Sequence, residues 1–164
     1  MAVRKLSLVI ALFVPISAQA QAGPAALRPA IELRHPDVRW VTVDELRGWR
    51  DVVLLDARAP AEYRVSHLEG ASRIDPVRAD VSLLAARHDA RVVVYCSVGW
   101  RSAAVAERLR AAGYRRVFNL EGGIFEWANR GFPVVRGSRR VRAVHPYDGT
   151  WGLLLDRALH AYRP

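Results

Sequence analysis

Residues 91–109 read RVVVYCSVGWRSAAVAERL. The first part of this stretch, residues 92–95, is a short continuous apolar run, the pattern of a buried strand. The run ends at Cys96, the only cysteine in the chain. A short loop follows, Ser97-Val98-Gly99-Trp100-Arg101. Ser102 then opens a segment with Val105, Leu109 and Ala112 at helical spacing. A lone thiol is thus set between the end of a buried strand and the start of a helix. Helix N-terminal N–H groups and the helix dipole favour negative charge at such a place, which is where thiolates are stabilised.

On the N-terminal side, residues 52–55 form a second apolar run that ends at Asp56 and reads as another buried strand. Thr42-Val43-Asp44-Glu45 is a capping box, so a helix should start there and run to about Trp49. Pro60 suits the first position of a short helix reaching about Val65. Residues 67–70 read as a turn, 71–74 as a short strand and 80–87 as a helix. On the C-terminal side, Gly113 should close the helix that follows Cys96. A further strand is expected over 117–120 and a short helix over 124–129. Buried strands alternating with helices indicate an α/β domain with a central, mainly parallel sheet flanked by helices. In such sheets ligands bind at the carboxyl ends of strands, and Cys96 lies at one of them.

The ends of the chain have a different character. Arg4 and Lys5 precede an apolar run over residues 6–16, and Ala18-Gln19-Ala20 is a small-residue cleavage site. This is the pattern of a secretory signal peptide cut after Ala20. Export to the periplasm or the medium is expected, with no stable membrane span after cleavage, because the apolar run is too short to cross a bilayer comfortably. Residues 21–37 read as an N-terminal arm. Residues 136–164 read as a C-terminal extension packed back on the domain, with a helix expected over 151–161 carrying Trp151, Leu154, Leu155, Ala158 and Leu159.

The net charge is +9, and loss of Arg4 and Lys5 brings it to +7. That balance favours anionic substrates. The arginines at 136, 139, 140 and 142 form a short cluster without interleaved aromatics, so nucleic-acid binding is not expected. One cysteine excludes an internal disulfide and leaves a thiol free for chemistry. The five histidines are scattered without ligand spacing, so no metal is expected. No glycine fingerprint for a nucleotide cofactor is present.

Three segments resemble the rhodanese family of sulfurtransferases. The first is Asp56-Ala57-Arg58, then Glu62-Tyr63, then His67-Leu68-Glu69-Gly70-Ala71. The second is the loop Cys96-Ser97-Val98-Gly99-Trp100-Arg101-Ser102. The third is Gly113-Tyr114, Val117, Leu120-Glu121-Gly122-Gly123 and Trp127. The resemblance covers about residues 40–135 and implies a rhodanese-like three-layer domain. It implies that Cys96 attacks the outer sulfur of a small anionic donor such as thiosulfate, forms a persulfide and passes the sulfur to cyanide or a thiol. That acceptor could be a periplasmic protein thiol. It implies no cofactor. Ser97, Val98, Gly99, Trp100, Arg101 and Ser102 would form the substrate-binding loop, with N–H groups converging on the sulfur and Arg101 forking onto an oxyanion. Ser102 would cap the helix or donate to the sulfur. Asp56, Arg58 and His67 would be supporting residues.

Two alternatives come from other classes. One is a cysteine phosphatase or arsenate reductase, whose loops usually place five residues between cysteine and arginine. Here four separate Cys96 from Arg101, a smaller cradle better suited to one sulfur atom. The other is a sulfur carrier or partner-binding module without turnover, docking through Tyr147, Trp151 and Tyr162.

Overall fold

The structure, a computed structural model, describes residues 23–79 and 88–164. The leader expected over 1–20 and the helix expected over 80–87 lie outside these residues. Seven strands and five α-helices follow one another among the described residues. They are α1 (Arg28–Arg34), β1 (Trp40–Val41), α2 (Val43–Gly48), β2 (Val52–Asp56), α3 (Pro60–Val65) and β3 (Ser72–Arg73). Then come β4 (Arg91–Tyr95), α4 (Trp100–Ala111), β5 (Arg116–Leu120), α5 (Gly123–Asn129), β6 (Val134–Arg136) and β7 (Arg139–Val141).

The first five strands form one sheet in the order β1-β5-β4-β2-β3, and every neighbouring pair is parallel. β4 is central. Val92, Val93 and Val94 lie directly between Val53, Leu54 and Leu55 on one side and Val117, Phe118 and Asn119 on the other. A strand covered on both faces needs apolar residues at every position, which is why β4 reads as a continuous run. Alternation along it divides the core. Val92, Val94 and Cys96 belong to one apolar cluster, with Ile31 of α1 and Ala103, Val105, Ala106 and Leu109 of α4. Val93 and Tyr95 belong to the other, with Val43 and Leu46 of α2 and Ile124, Phe125 and Ala128 of α5. Helices on both faces give the three-layer α/β arrangement.

Local signals explain most element ends. The Thr42 hydroxyl accepts from Glu45 N–H, and Glu45 reaches back to Thr42 N–H at 2.8 Å, so the capping box forms and α2 begins after it. Pro60 occupies the first turn of α3. α4 ends before Gly113, at φ 95°.

Four expectations need correction. Where an arm is expected, Pro24–Leu27 forms a 3-10 turn that leads into α1. Ile31 is fully buried there, and Arg28 pairs with Glu32 and with Glu121, just beyond β5. One buried isoleucine in a run of Ala, Pro and Arg gives too weak a period to be seen in the sequence. Beyond Pro133, where the pattern suggests only that the chain exits the domain before its extension, a hairpin forms. β6 and β7 pair as an antiparallel hairpin, and Val135 bridges His67. The arginine cluster lies on this hairpin, with Arg139, Arg140 and Arg142 exposed. The helix expected over 151–161 is instead two 3-10 turns, Trp151–Leu154 and Arg157–Leu159. Leu155 is extended between them, and Asp156 turns its carboxylate onto Ala158 N–H. An aspartate that bonds nearby backbone in this way competes with a continuous helix. Finally, α4 begins at Trp100, two residues before Ser102.

The extension does pack back. Val144, Leu155 and Leu159 are buried in the α2/α5 core, and Val144 N–H donates to Leu159 O at 2.7 Å. Among the described residues no helix is long and apolar enough to cross a membrane.

Candidate active site

Cys96 follows the last residue of β4 and is buried. Gly99 N–H donates to its Sγ at 3.2 Å, which closes the loop onto the sulfur. Gly99 has φ 101° and serves as the N-cap of α4, so Trp100 and Arg101 are already helical. A left-handed residue here lets the chain reverse within three residues of the thiol, and glycine adopts it without steric cost. Asn119 of β5 donates to Gly99 O at 2.8 Å and pins the same turn from the neighbouring strand.

The other side of the loop rests on α5. Ile124 N–H donates to Cys96 O at 2.9 Å and Phe125 N–H to Ser97 O at 3.1 Å. These first-turn N–H groups have no partner within their own helix, so they are free to hold the loop carbonyls. The approach requires glycine at 123. A Cβ there would lie 2.4 Å from Cys96 O and 2.6 Å from Ser97 O.

Glu62 organises the polar side of the site. It lies in α3, and its carboxylate takes both Arg101 nitrogens, Nη1 at 2.7 Å and Nη2 at 2.8 Å. Ser97 Oγ donates to Glu62 Oε1 at 3.0 Å and accepts from Arg101 Nη2 at 3.0 Å. Ala59 N–H also donates to Glu62. Burial opposes ionisation of Glu62, but the Arg101 bonds and charge outweigh it and hold the carboxyl below its ordinary range. The same balance holds Arg101 above its ordinary value: burial works against the charge, while Glu62 and then the field of Cys96 favour it.

Asp56 and Arg58 form a separate, fully buried pair. Arg58 Nη2 donates to Asp56 Oδ2 at 2.7 Å and to Ser66 O at 2.6 Å, and Arg58 N–H caps Asp56 Oδ1. Burial would lower the Arg58 pKa, but the Asp56 carboxylate outweighs it and raises it. Nearby, Tyr95 OH accepts from Leu68 N–H at 3.0 Å, and burial first, then the Asp56 charge, push its pKa well up. His67 stacks on Tyr63 with ring centroids 3.9 Å apart, and its Nδ1 meets Tyr63 O at 3.1 Å.

The loop residues therefore divide by role. Cys96, Ser97, Gly99 and Arg101 are brought together. Val98 is buried in the α2/α5 core, so its side chain anchors the loop and does not face a ligand. Trp100 is exposed at the start of α4. Ser102 lies in the first turn of α4, and its buried hydroxyl has no hydrogen-bond partner, so it neither caps the helix nor bonds the sulfur. One loop N–H, that of Gly99, reaches Sγ, where a convergent nest is expected. Arg101 does not offer a free fork to an oxyanion: Glu62 and Ser97 hold its guanidinium edge. Asp56, Arg58 and His67 brace the turns after β2 and α3. Glu62 is the residue of this cluster that local sequence pattern does not single out. Its signal was present, as the glutamate of the first family segment.

Fold and site together define an α/β domain that presents a single cysteine on a compact, helix-seated loop at the carboxyl edge of a parallel sheet. The chain belongs to the rhodanese family: residues 41–130, more than half of it, match the Rhodanese-like domain. It is 38% identical over 90 residues to a sulfurtransferase of Allochromatium vinosum, covering 55% of this chain and 84% of that protein. It is 33% identical over 96 residues to the probable adenylyltransferase/sulfurtransferase MoeZ of Mycobacterium tuberculosis, but spans only 24% of that protein and 55% of this chain. Among solved structures, a rhodanese-related protein of Thermoplasma volcanium superposes with TM-score 0.54 at 28% identity, covering 60% of this chain and 98% of that one.

Proposed function

We propose that this protein is an exported sulfurtransferase that moves a sulfane sulfur from a small anionic donor such as thiosulfate to cyanide or a thiol. The observation that carries the reading is the Cys96 loop. The thiol is seated at the N-terminus of α4 with Gly99 N–H on its sulfur. In the first half-reaction the Cys96 thiolate attacks the outer sulfur of thiosulfate. A new S–S bond forms, the donor S–S bond breaks, and sulfite leaves with its electron pair. In the second, the acceptor attacks the terminal persulfide sulfur and the Cys96 thiolate is released. The attacking thiolate and the persulfide of this scheme both carry negative charge, which the Gly99 N–H and the α4 dipole favour. The kinship with the Allochromatium vinosum sulfurtransferase supports the reaction class. The leader-like first twenty residues support export.

Mass spectrometry of the protein after thiosulfate treatment tests the proposal. One added sulfur atom is expected, removed by cyanide and absent in Cys96→Ser. No sulfur gain from thiosulfate or from a small persulfide would sink it.

A further inference from the structure

The C-terminal extension lies outside the matched family segment, yet it reaches the active loop. Tyr147 sets its ring 4.8 Å from the Arg101 guanidinium carbon. Its backbone is left-handed, φ 70°, a conformation that bulky L-residues rarely adopt and that persists only where the surroundings impose it. The surroundings do so here. Tyr147 N–H donates to His145 Nδ1 at 3.0 Å, and Asp148 N–H to Pro146 O at 3.0 Å. The Asp148 carboxylate accepts from Thr150 and Trp151 N–H at 2.9 Å. Behind this turn, buried Val144 is tied to Leu159 and Ala161. The chain therefore spends backbone strain to hold a half-exposed tyrosine over Arg101. With the edge of Arg101 committed to Glu62 and Ser97, its face is what remains for an aromatic ring.

We propose that Tyr147 is a positioning residue for the Cys96 loop. Its ring covers the face of Arg101, keeps water and salt away from the Arg101–Glu62–Ser97 cluster, and so fixes the loop next to the sulfur. Cation–π attraction strengthens as the cation is desolvated, and charge pairs covered from solvent are screened less by salt. The role runs through Arg101 and Ser97, so it acts on the rate of sulfur transfer more than on donor binding. Its kinetic readout rests on the sulfurtransferase reading. Its chemical readout does not.

The test compares the full chain with Tyr147→Phe, Tyr147→Ala and Leu153→Ala, the last at an exposed position of the same extension. Three things are measured: kcat and KM with thiosulfate and cyanide, the rate at which iodoacetamide alkylates Cys96 at low and high salt, and the melting temperature. Tyr147→Ala should lower kcat roughly fivefold, the size of one partly desolvated cation–π contact, with KM little changed. It should also change the alkylation rate and make it salt-dependent. Tyr147→Phe keeps the ring and should behave as wild type, as should Leu153→Ala. A rise in KM at unchanged kcat would mean that the ring binds donor, and would overturn the proposal. So would Tyr147→Phe behaving like Tyr147→Ala, or Tyr147→Ala behaving like wild type. If the wild-type protein takes up no sulfur, the sulfurtransferase reading fails and the alkylation comparison decides alone. A change confined to Tyr147→Ala then upholds the positioning role, and equal rates refute it.

Discussion

Glu62 and Asp56 are both buried carboxylates paired with arginine, but their surroundings differ. The Asp56–Arg58 pair is completely withdrawn from solvent, whereas Arg101 keeps 25% of its side chain exposed beside Glu62. Removing one partner of a fully buried pair strands a charge, so Asp56→Asn should cost about 3–5 kcal/mol. Glu62→Gln should cost about 2 kcal/mol, because solvent still reaches the stranded Arg101. Urea midpoints of the two variants check the order. The pH dependence separates them further. Glu62 has a folded pKa below its ordinary value of 4.5. Its stabilisation is therefore complete above that value and is lost as pH falls through the depressed folded pKa. Wild type should lose stability in that acid window, and Glu62→Gln should lose less of it. Unfolding curves at successive pH values will show equal slopes in the two proteins if Glu62 is not the group responsible. In the sequence Glu62 was visible only as part of a family segment. Nothing in its local pattern signals a bond to Arg101, 39 positions away.

At the level of elements, the site is made by two helix starts meeting one strand end. α4 places Gly99 N–H on the sulfur, while α5 places its first N–H groups on the carbonyls of Cys96 and Ser97. Gly123 is the point of closest approach. Gly123→Ala has both a left-handed φ of 58° and a Cβ in collision with backbone. Gly131→Ala, at φ 78°, has the conformational penalty but open space around the new Cβ. The second should cost about 1 kcal/mol, as expected for a left-handed L-residue. The first should cost about 3 kcal/mol or more and slow Cys96 chemistry, since the loop must move to admit the methyl group. Equal losses in the two variants, measured by urea unfolding and by alkylation rate, would show that the packing of α5 on the loop is not tight. The turn glycines were legible as turn residues in the sequence. That one of them abuts the thiol's own carbonyl was not, because the contact joins residues 27 apart in different layers.

For the molecule as a whole, the extension after β5 and α5 completes one of the two cores. Leu155 and Leu159 are 3% and 6% exposed, and Leu159 O accepts the hydrogen bond from Val144. Leu159→Ala should destabilise the protein by about 2–4 kcal/mol, the usual cost of truncating a buried leucine. A change below half a kcal/mol in a thermal or urea transition would make the extension a loosely attached tail. The apolar residues of the extension were recognisable as a buried set. Their conformation was not, because Asp156 interrupts a spacing that otherwise suits a helix.

The sequence by itself determined the alternation of strands and helices from α2 to α5, the capping box of α2, the place of Cys96 at a strand end and the family. Each of these depends on residues close together in the chain, where period, caps and motif spacing act directly. The tertiary structure decided what the side chains of that motif do. It turned Arg101 from a free anion fork into half of a clamp with Glu62, sent Val98 into the core, left the Ser102 hydroxyl without a partner and laid Tyr147 over Arg101. Those outcomes depend on which charges and faces meet across layers, and local chain pattern carries no record of such meetings.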